Sequence, residues 1–276
     1  MEYTQMGRTG LTVSRLCLGT MNFGFQTTEA DAVAIMDKAL ESGINFIDTA
    51  NVYGRQRRKG FSEQGGGRRE KTIIATKVFN IMGNWPNQSR LSALHIRQAC
   101  EASLRRLQTD HIDLYPMHHV YRLVTWEEVY QEMETLVQQG KVLYIGSSNF
   151  AGWHIAKAQD AAKERSFLGL VSEQSLYNLR DRMIELEVLP ACKDYGMGVL
   201  TGSPLAGGWL GGVLQKGRDG RRADENLQKD ILLVGAQPGS SRKVCALVIK
   251  LGEQEMMKLN EIWPGPGGEA PEAYAW

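Results

Sequence analysis

Six polar side chains recur along the chain, each at the end of a short apolar, strand-like run. They are Asp48 in NFIDTA, Lys77 in TIIATK, His118 in IDLYPMH, Asn149 in YIGSSN, Gln174 in LVSEQ and Ser203 in VLTGS. Tyr53 follows shortly after Asp48. Asp48, Tyr53, Lys77 and His118 together are suited to moving a proton onto a carbonyl oxygen. A phenol's ordinary pKa, about 10, is too high for efficient proton shuttling at neutral pH. An ammonium beside it lowers that value, and a carboxylate paired with the ammonium keeps it charged and oriented. An imidazole on the next strand can hydrogen-bond the substrate oxygen. This set does acid–base work and contains no reductant, so it implies a cofactor that carries hydride. Ser148, Asn149 and Gln174 are suited to holding a carboxamide such as nicotinamide. Ser203 and the glycines of SPLAGG are suited to backbone N–H contacts with a pyrophosphate.

Each residue taken singly has a plainer reading. Asp48 before Thr49 can cap a turn, Tyr53 can be a packing tyrosine, and Gln174 can be a satisfied core amide. His118 and His119 are adjacent, so on a strand they would point to opposite faces and could not share one metal. The joint occurrence of these groups at strand ends raises the catalytic reading above the plain one.

The elements that must position them form a repeated unit. Apolar runs begin near Leu16, Asn45, Thr72, Ile112, Val142, Leu168 and Gly198. That period of roughly 30 residues is the length of a βα unit with its crossover. The helices between the runs have explicit ends. Thr28 and Asp31 open the first, Val33, Met36 and Leu40 share a face, and Gly43 closes it. Ser92 opens another, with Ile96, Cys100, Ser103 and Leu107 inward. Thr125 with Glu128 is a capping box before Trp126, Val129, Met133 and Leu136. The stretch from Glu187 to Tyr195 reads as a helix with Pro190 in its first turn. Residues 2–14 read as a hairpin before the first unit.

Seven such units fit either a closed barrel or an open doubly wound sheet. The open sheet usually carries GxGxxG after its first strand. Here that position reads GTMNFG, which favours the barrel. Strand ends of a parallel barrel share one face, so the polar residues converge there. The segment between Tyr53 and Thr72, with the basic cluster Arg55 to Lys59, is too polar for a core-facing helix. The stretch from Ala206 to Ile231 is likewise poor in apolar residues. ILLVG fits an eighth strand, EQEMMKLNEIW a last helix, and residues 263–276 an irregular tail.

Composition bounds the rest. The chain has 276 residues, 42% of them hydrophobic and 23% charged, with a formal net charge of +1 at pH 7. A near-neutral balance gives no reason to expect nucleic acid or a membrane surface as partner. No apolar run approaches the roughly 18 residues of a membrane span, and no secretory leader is evident. Cys17, Cys100, Cys192 and Cys245 form no CxxC, which suits reduced thiols in the cytoplasm. The oligomeric state is not legible.

The motifs GTMNFG, FIDTANVYG, IATKV, DLYPMHH, IGSSNF, SEQSLYN and GSPLAGG, in this order, resemble the aldo-keto reductase family. The subgroup is similar to bacterial reductases and potassium-channel beta subunits. The resemblance covers about Tyr3 to Asp230. It implies one domain over residues 1–276: an α/β fold, a (β/α)8 TIM-type barrel with an N-terminal β-hairpin, incomplete in its second and seventh helices. It implies Tyr53 as general acid, Asp48 and Lys77 as its tuning pair, and His118 as the group that orients the carbonyl. Cofactor contacts would come from Thr20, Asp48, Ser148, Asn149, Gln174, Ser203, Pro204, Leu205 and Gly207. The cofactor would be NADPH, with NADH an alternative, and the substrate a small-molecule aldehyde or ketone. Two other readings stand beside it. One is reduction of an unsaturated nucleotide sugar; the other is a nucleotide-binding regulatory subunit with little turnover. Three features depart from the family. The second helix is missing, Gly202 stands where an aromatic usually precedes SPL, and only GSSRK resembles the late phosphate-binding segment.

Overall fold

The computed structural model describes residues 1–24, 26–53 and 67–211. Cys245, ILLVG, GSSRK, the last helix, the tail, the basic cluster and the positions of the second and seventh helices lie outside them.

The N-terminal segment folds as the expected hairpin. β1 (Tyr3–Gln5) pairs antiparallel with β2 (Thr12–Ser14). Met6 and Val13 from this hairpin pack with Phe46, Ala75, Leu114 and Val171 in one buried cluster. Gly7 makes that seat possible. Its φ is +55°, and a Cβ there would lie 2.5 Å from the Gly196 carbonyl oxygen and 2.7 Å from the Gly198 nitrogen. Both neighbours are backbone and cannot swing aside, and the conformation itself disfavours an L side chain. Gly7→Ala is therefore expected to destabilise the protein by roughly 4 kcal/mol, read as a fall in the denaturation midpoint with an unchanged m-value.

The βα repeat follows. In chain order come β3 (Cys17–Gly19), α1 (Glu29–Glu41), β4 (Phe46–Ala50), β5 (Ile73–Lys77), α2 (Ala93–Leu107) and β6 (Ile112–Met117). After them come α3 (Trp126–Gln138), β7 (Val142–Ser148), α4 (Gly152–Glu164), β8 (Leu170–Leu176), α5 (Val188–Asp194) and β9 (Gly198–Gly202). One sheet carries the strands in strict chain order, β3-β4-β5-β6-β7-β8-β9, and the registers from β3 to β8 are parallel. A doubly wound sheet reverses its strand order at a switch point; this sheet does not. Sequential parallel order is the order of a (β/α)8 barrel.

The helix ends read from sequence are made by side chains. Thr28, Ser92 and Thr125 each accept the backbone N–H three residues on, from Asp31, His95 and Glu128. Pro190 lies in the first turn of α5, where its missing N–H costs no helical bond. The central strands β4 and β6 are buried throughout, covered on both faces as parallel strands are, whereas β3 and β9 keep exposed residues. Asp113 on β6 accepts from the Arg69 guanidinium at 2.7 Å and from the Ile74 N–H at 2.9 Å, which ties the β6 edge to β5.

The chain divides into two compact units. One holds Met1–Ser175 and Glu187–Leu200. The other holds Leu176–Leu186 and, among the described residues, 201–211. Among the described residues no helix is long and apolar enough to cross a membrane.

Candidate active site

In the first unit, the parallel register carries the polar residues to one end of the sheet. Asp48 on β4 lies beside Gly19 on one side and Ala75 on the other. Lys77, the last residue of β5, lies beside Ala50. Asp48 and Ala50 share a face because strand side chains alternate. Asp48 and Lys77 are thus diagonal neighbours on that face. The Lys77 Nζ donates to both Asp48 oxygens, at 2.5 and 2.6 Å, and to the Thr49 carbonyl at 3.3 Å. The lysine side chain is fully buried, and the carboxylate beside it nearly so. An ammonium in that position is tolerable only because the carboxylate compensates its lost hydration.

Tyr53 stands over this pair. A turn after β4, closed by the Tyr53 N–H on the Ala50 carbonyl, brings its ring to 5.6 Å from the Lys77 Nζ. The His118 ring meets the Tyr53 ring edge-on, with centroids 6.0 Å apart. Thr20, after β3, is buried and donates through its N–H and hydroxyl to the Asp48 carbonyl, at 3.0 and 3.1 Å. Asp48, Tyr53, Lys77 and His118 are therefore brought together.

Two details differ from the sequence reading. Asp48 and Gln174 lie inside their strands rather than at the ends, since β4 runs on to Ala50 and β8 to Leu176. His118 and His119 do not point to opposite faces: their rings stack, with centroids 5.0 Å apart and planes within 4°. The alternation rule fails because β6 stops at Met117, so both histidines lie in the bend beyond it. Burial, the Lys77 charge and His119 push the His118 pKa down to about 3, so its ring is neutral at physiological pH.

Asn149 follows β7 with φ +57°, a left-handed position that asparagine tolerates. Its Nδ2 donates to the His118 carbonyl at 3.2 Å and to the Ser148 hydroxyl at 3.1 Å. Ser148 and Gln174 are direct register partners. The Asn149 Oδ1 and the Gln174 side-chain amide have no hydrogen-bond partner among the described residues. Two open amide functions beside a hydroxyl match the donors and acceptors of a carboxamide, so these residues fit a nicotinamide ring.

Ser203, Pro204, Leu205 and Gly207 belong to the second unit. Ser203 has φ +49° and its carbonyl accepts the Ala206 N–H; Gly207 interrupts a short 3-10 segment, Ala206–Gly211. Asn178 in the same unit donates to the Ser203 carbonyl at 3.1 Å.

Sequence reasoning missed Asn80 and Glu173. Asn80 sits 2.8 Å from the His118 Nδ1. The only signal for it was its place just past Lys77. Glu173 is fully buried beside Gln174 and accepts from the Ser175 hydroxyl at 2.6 Å and the Phe150 N–H at 3.2 Å. It thereby clips the loop that carries Asn149. Burial pushes its pKa from the ordinary 4.5 up to about 7, against the lowering effect of these and neighbouring donors. The folded state thus holds this proton more tightly than the unfolded chain. Its share of stability is lost as pH rises from about 4.5 to about 7, by an order of 3 kcal/mol. Glu173→Gln keeps the acceptor and removes the titration. The variant is expected to gain melting temperature over wild type at about pH 8, above the window, and to gain little at about pH 4, below it.

The aldo/keto reductase family model matches residues 15–263. An uncharacterized oxidoreductase of Bacillus subtilis (strain 168) is 47% identical over 326 residues, covering all of both chains. That alignment is longer than the 276-residue chain, so the relative carries internal stretches with no counterpart here. A probable voltage-gated potassium channel subunit beta of Oryza sativa subsp. japonica is 35% identical over 235 residues, 82% of this chain and 71% of the relative. A norsolorinic acid reductase of Emericella nidulans is 33% identical over 262 residues, 89% of this chain and 65% of the relative. With its sequential parallel strands and this family-wide match, the chain is an oxidoreductase with a (β/α)8 barrel fold and belongs to the aldo/keto reductase family.

Proposed function

We propose that the protein reduces the carbonyl of a small aldehyde or ketone to an alcohol with NADPH as hydride donor and Tyr53 as proton donor. The observation that carries this reading is the Lys77 ammonium, fully buried, clamped by Asp48 and lying 5.6 Å from the Tyr53 ring. When bound, NADPH supplies a hydride to the carbonyl carbon. The remaining chemistry belongs to the chain's own residues. Ser148, Asn149 and Gln174 would hold the cofactor's carboxamide and so orient the ring toward the substrate. Neutral His118 donates a hydrogen bond to the carbonyl oxygen. As negative charge develops on that oxygen, the Tyr53 hydroxyl would give up its proton to it. The Lys77 charge, aimed through a site of low dielectric, favours negative charge on the phenol oxygen; Asp48 holds Lys77 in place. Solvent then returns a proton to Tyr53.

In this reading the whole chain is one cytoplasmic barrel domain, and Thr20 braces the Asp48 strand at the cofactor site. Ser203, Pro204, Leu205 and Gly207 bind the cofactor's pyrophosphate. Reductase names among the relatives support reduction, including a versiconal hemiacetal acetate reductase of Aspergillus parasiticus at 31% identity over 241 residues. The channel-subunit relatives favour a second reading, a nucleotide-binding subunit with little turnover. Loss of NADPH absorbance on a panel of aldehydes and ketones, run beside NADH, separates the two. Turnover with NADPH preferred supports the reductase; tight NADPH binding without turnover on any carbonyl supports the subunit.

A further inference from the structure

We propose that Asn80 is a positioning residue that sets the tautomer of His118, leaving the ring's single proton on Nε2, where it can be donated to a substrate oxygen. A side-chain amide nitrogen only donates hydrogen bonds. The Asn80 Nδ2 lies 2.8 Å from the His118 Nδ1, so Nδ1 accepts and carries no proton. A neutral imidazole then holds its proton on Nε2, for which no described residue is a partner.

The surroundings keep the ring neutral and fixed. Lys77 lies on one side and His119 stacks on one face, both opposing a second proton on His118. The Tyr53 ring meets it edge-on, and the Asn149 amide holds its backbone carbonyl. None of these contacts chooses between the two ring nitrogens; Asn80 does. The site thus avoids the carboxylate that usually orients a histidine. A carboxylate facing Nδ1 would draw the proton there and leave Nε2 as an acceptor turned toward an acceptor.

This inference rests on the carbonyl-reducing reading for its consequence, although the tautomer can be tested without it. Nitrogen-15 NMR of histidine-labelled protein, with His118 assigned from a His118→Gln variant, separates protonated from bare ring nitrogens. The expected wild-type spectrum at neutral pH shows His118 with a protonated Nε2 and a bare Nδ1. In Asn80→Asp the proton is expected to move to Nδ1 and kcat/KM to fall about 100-fold, with most of the loss in kcat and NADPH affinity within about twofold. Asn80→Leu, which removes the donor without adding an acceptor, is expected to show a mixture of tautomers and an intermediate rate. A wild-type His118 protonated on Nδ1 overturns the proposal, as does Asn80→Asp with an unmoved tautomer. If wild type turns over no carbonyl while His118 shows the Nε2 proton, the reduction reading fails and the tautomer assignment stands.

Discussion

Tyr53→Phe is expected to lower kcat/KM for carbonyl reduction by about 10²- to 10⁴-fold, the range for removing a positioned general acid. NADPH affinity and melting temperature should stay close to wild type, because the ring and its contacts with Lys77 and His118 remain. The loss should fall on kcat rather than KM, since the hydroxyl matters only as charge develops on the substrate oxygen. Fluorescence titration of NADPH and steady-state kinetics on one aldehyde measure both quantities. Full activity in this variant would remove Tyr53 as the proton donor.

Lys77→Met is expected to have the second large effect, on both activity and stability. The substitution fills similar space but leaves Asp48 as a nearly buried carboxylate without its ion partner. Breaking a buried pair from one side typically costs about 3–5 kcal/mol, a fall of about 10 °C in melting temperature for a chain of this size. Adding Asp48→Asn to Lys77→Met removes the stranded charge. The double variant should therefore be more stable than Lys77→Met alone. Activity should not return with stability, because no ammonium then faces Tyr53. Equal melting temperatures for the single and double variants would show that the stranded Asp48 charge is not what destabilises Lys77→Met.

Much of this framework is legible in the sequence. Thr28, Ser92 and Thr125 mark helix starts because a hydroxyl that can accept the third following N–H leaves a local trace. The strands β3 to β9 are found because each is a short apolar run followed by a polar residue. α4 opens at Ala151 with no side-chain cap, so its start leaves no such trace. The Asp48–Lys77 pairing could be anticipated only in outline: neighbouring parallel strands bring the two residues close, but Lys77 registers with Ala50 and reaches Asp48 diagonally, from inside β4. The stacking of His118 on His119 could not, since it depends on β6 stopping one residue earlier than its apolar pattern suggests. Asn80 and Glu173 were invisible for a different reason. Their partners, the His118 Nδ1 and the Phe150 N–H, lie far away in sequence and are set by three-dimensional packing.

The most direct test follows the hydride itself. The protein is incubated with an aldehyde and NADPH carrying deuterium at both C4 positions of the nicotinamide, and the alcohol product is analysed by mass spectrometry and NMR. One deuterium on the former carbonyl carbon, placed there by wild type and nearly lost in Tyr53→Phe, is the predicted result. An alcohol without that deuterium, or no alcohol from any carbonyl offered while the cofactor binds, would contradict the account.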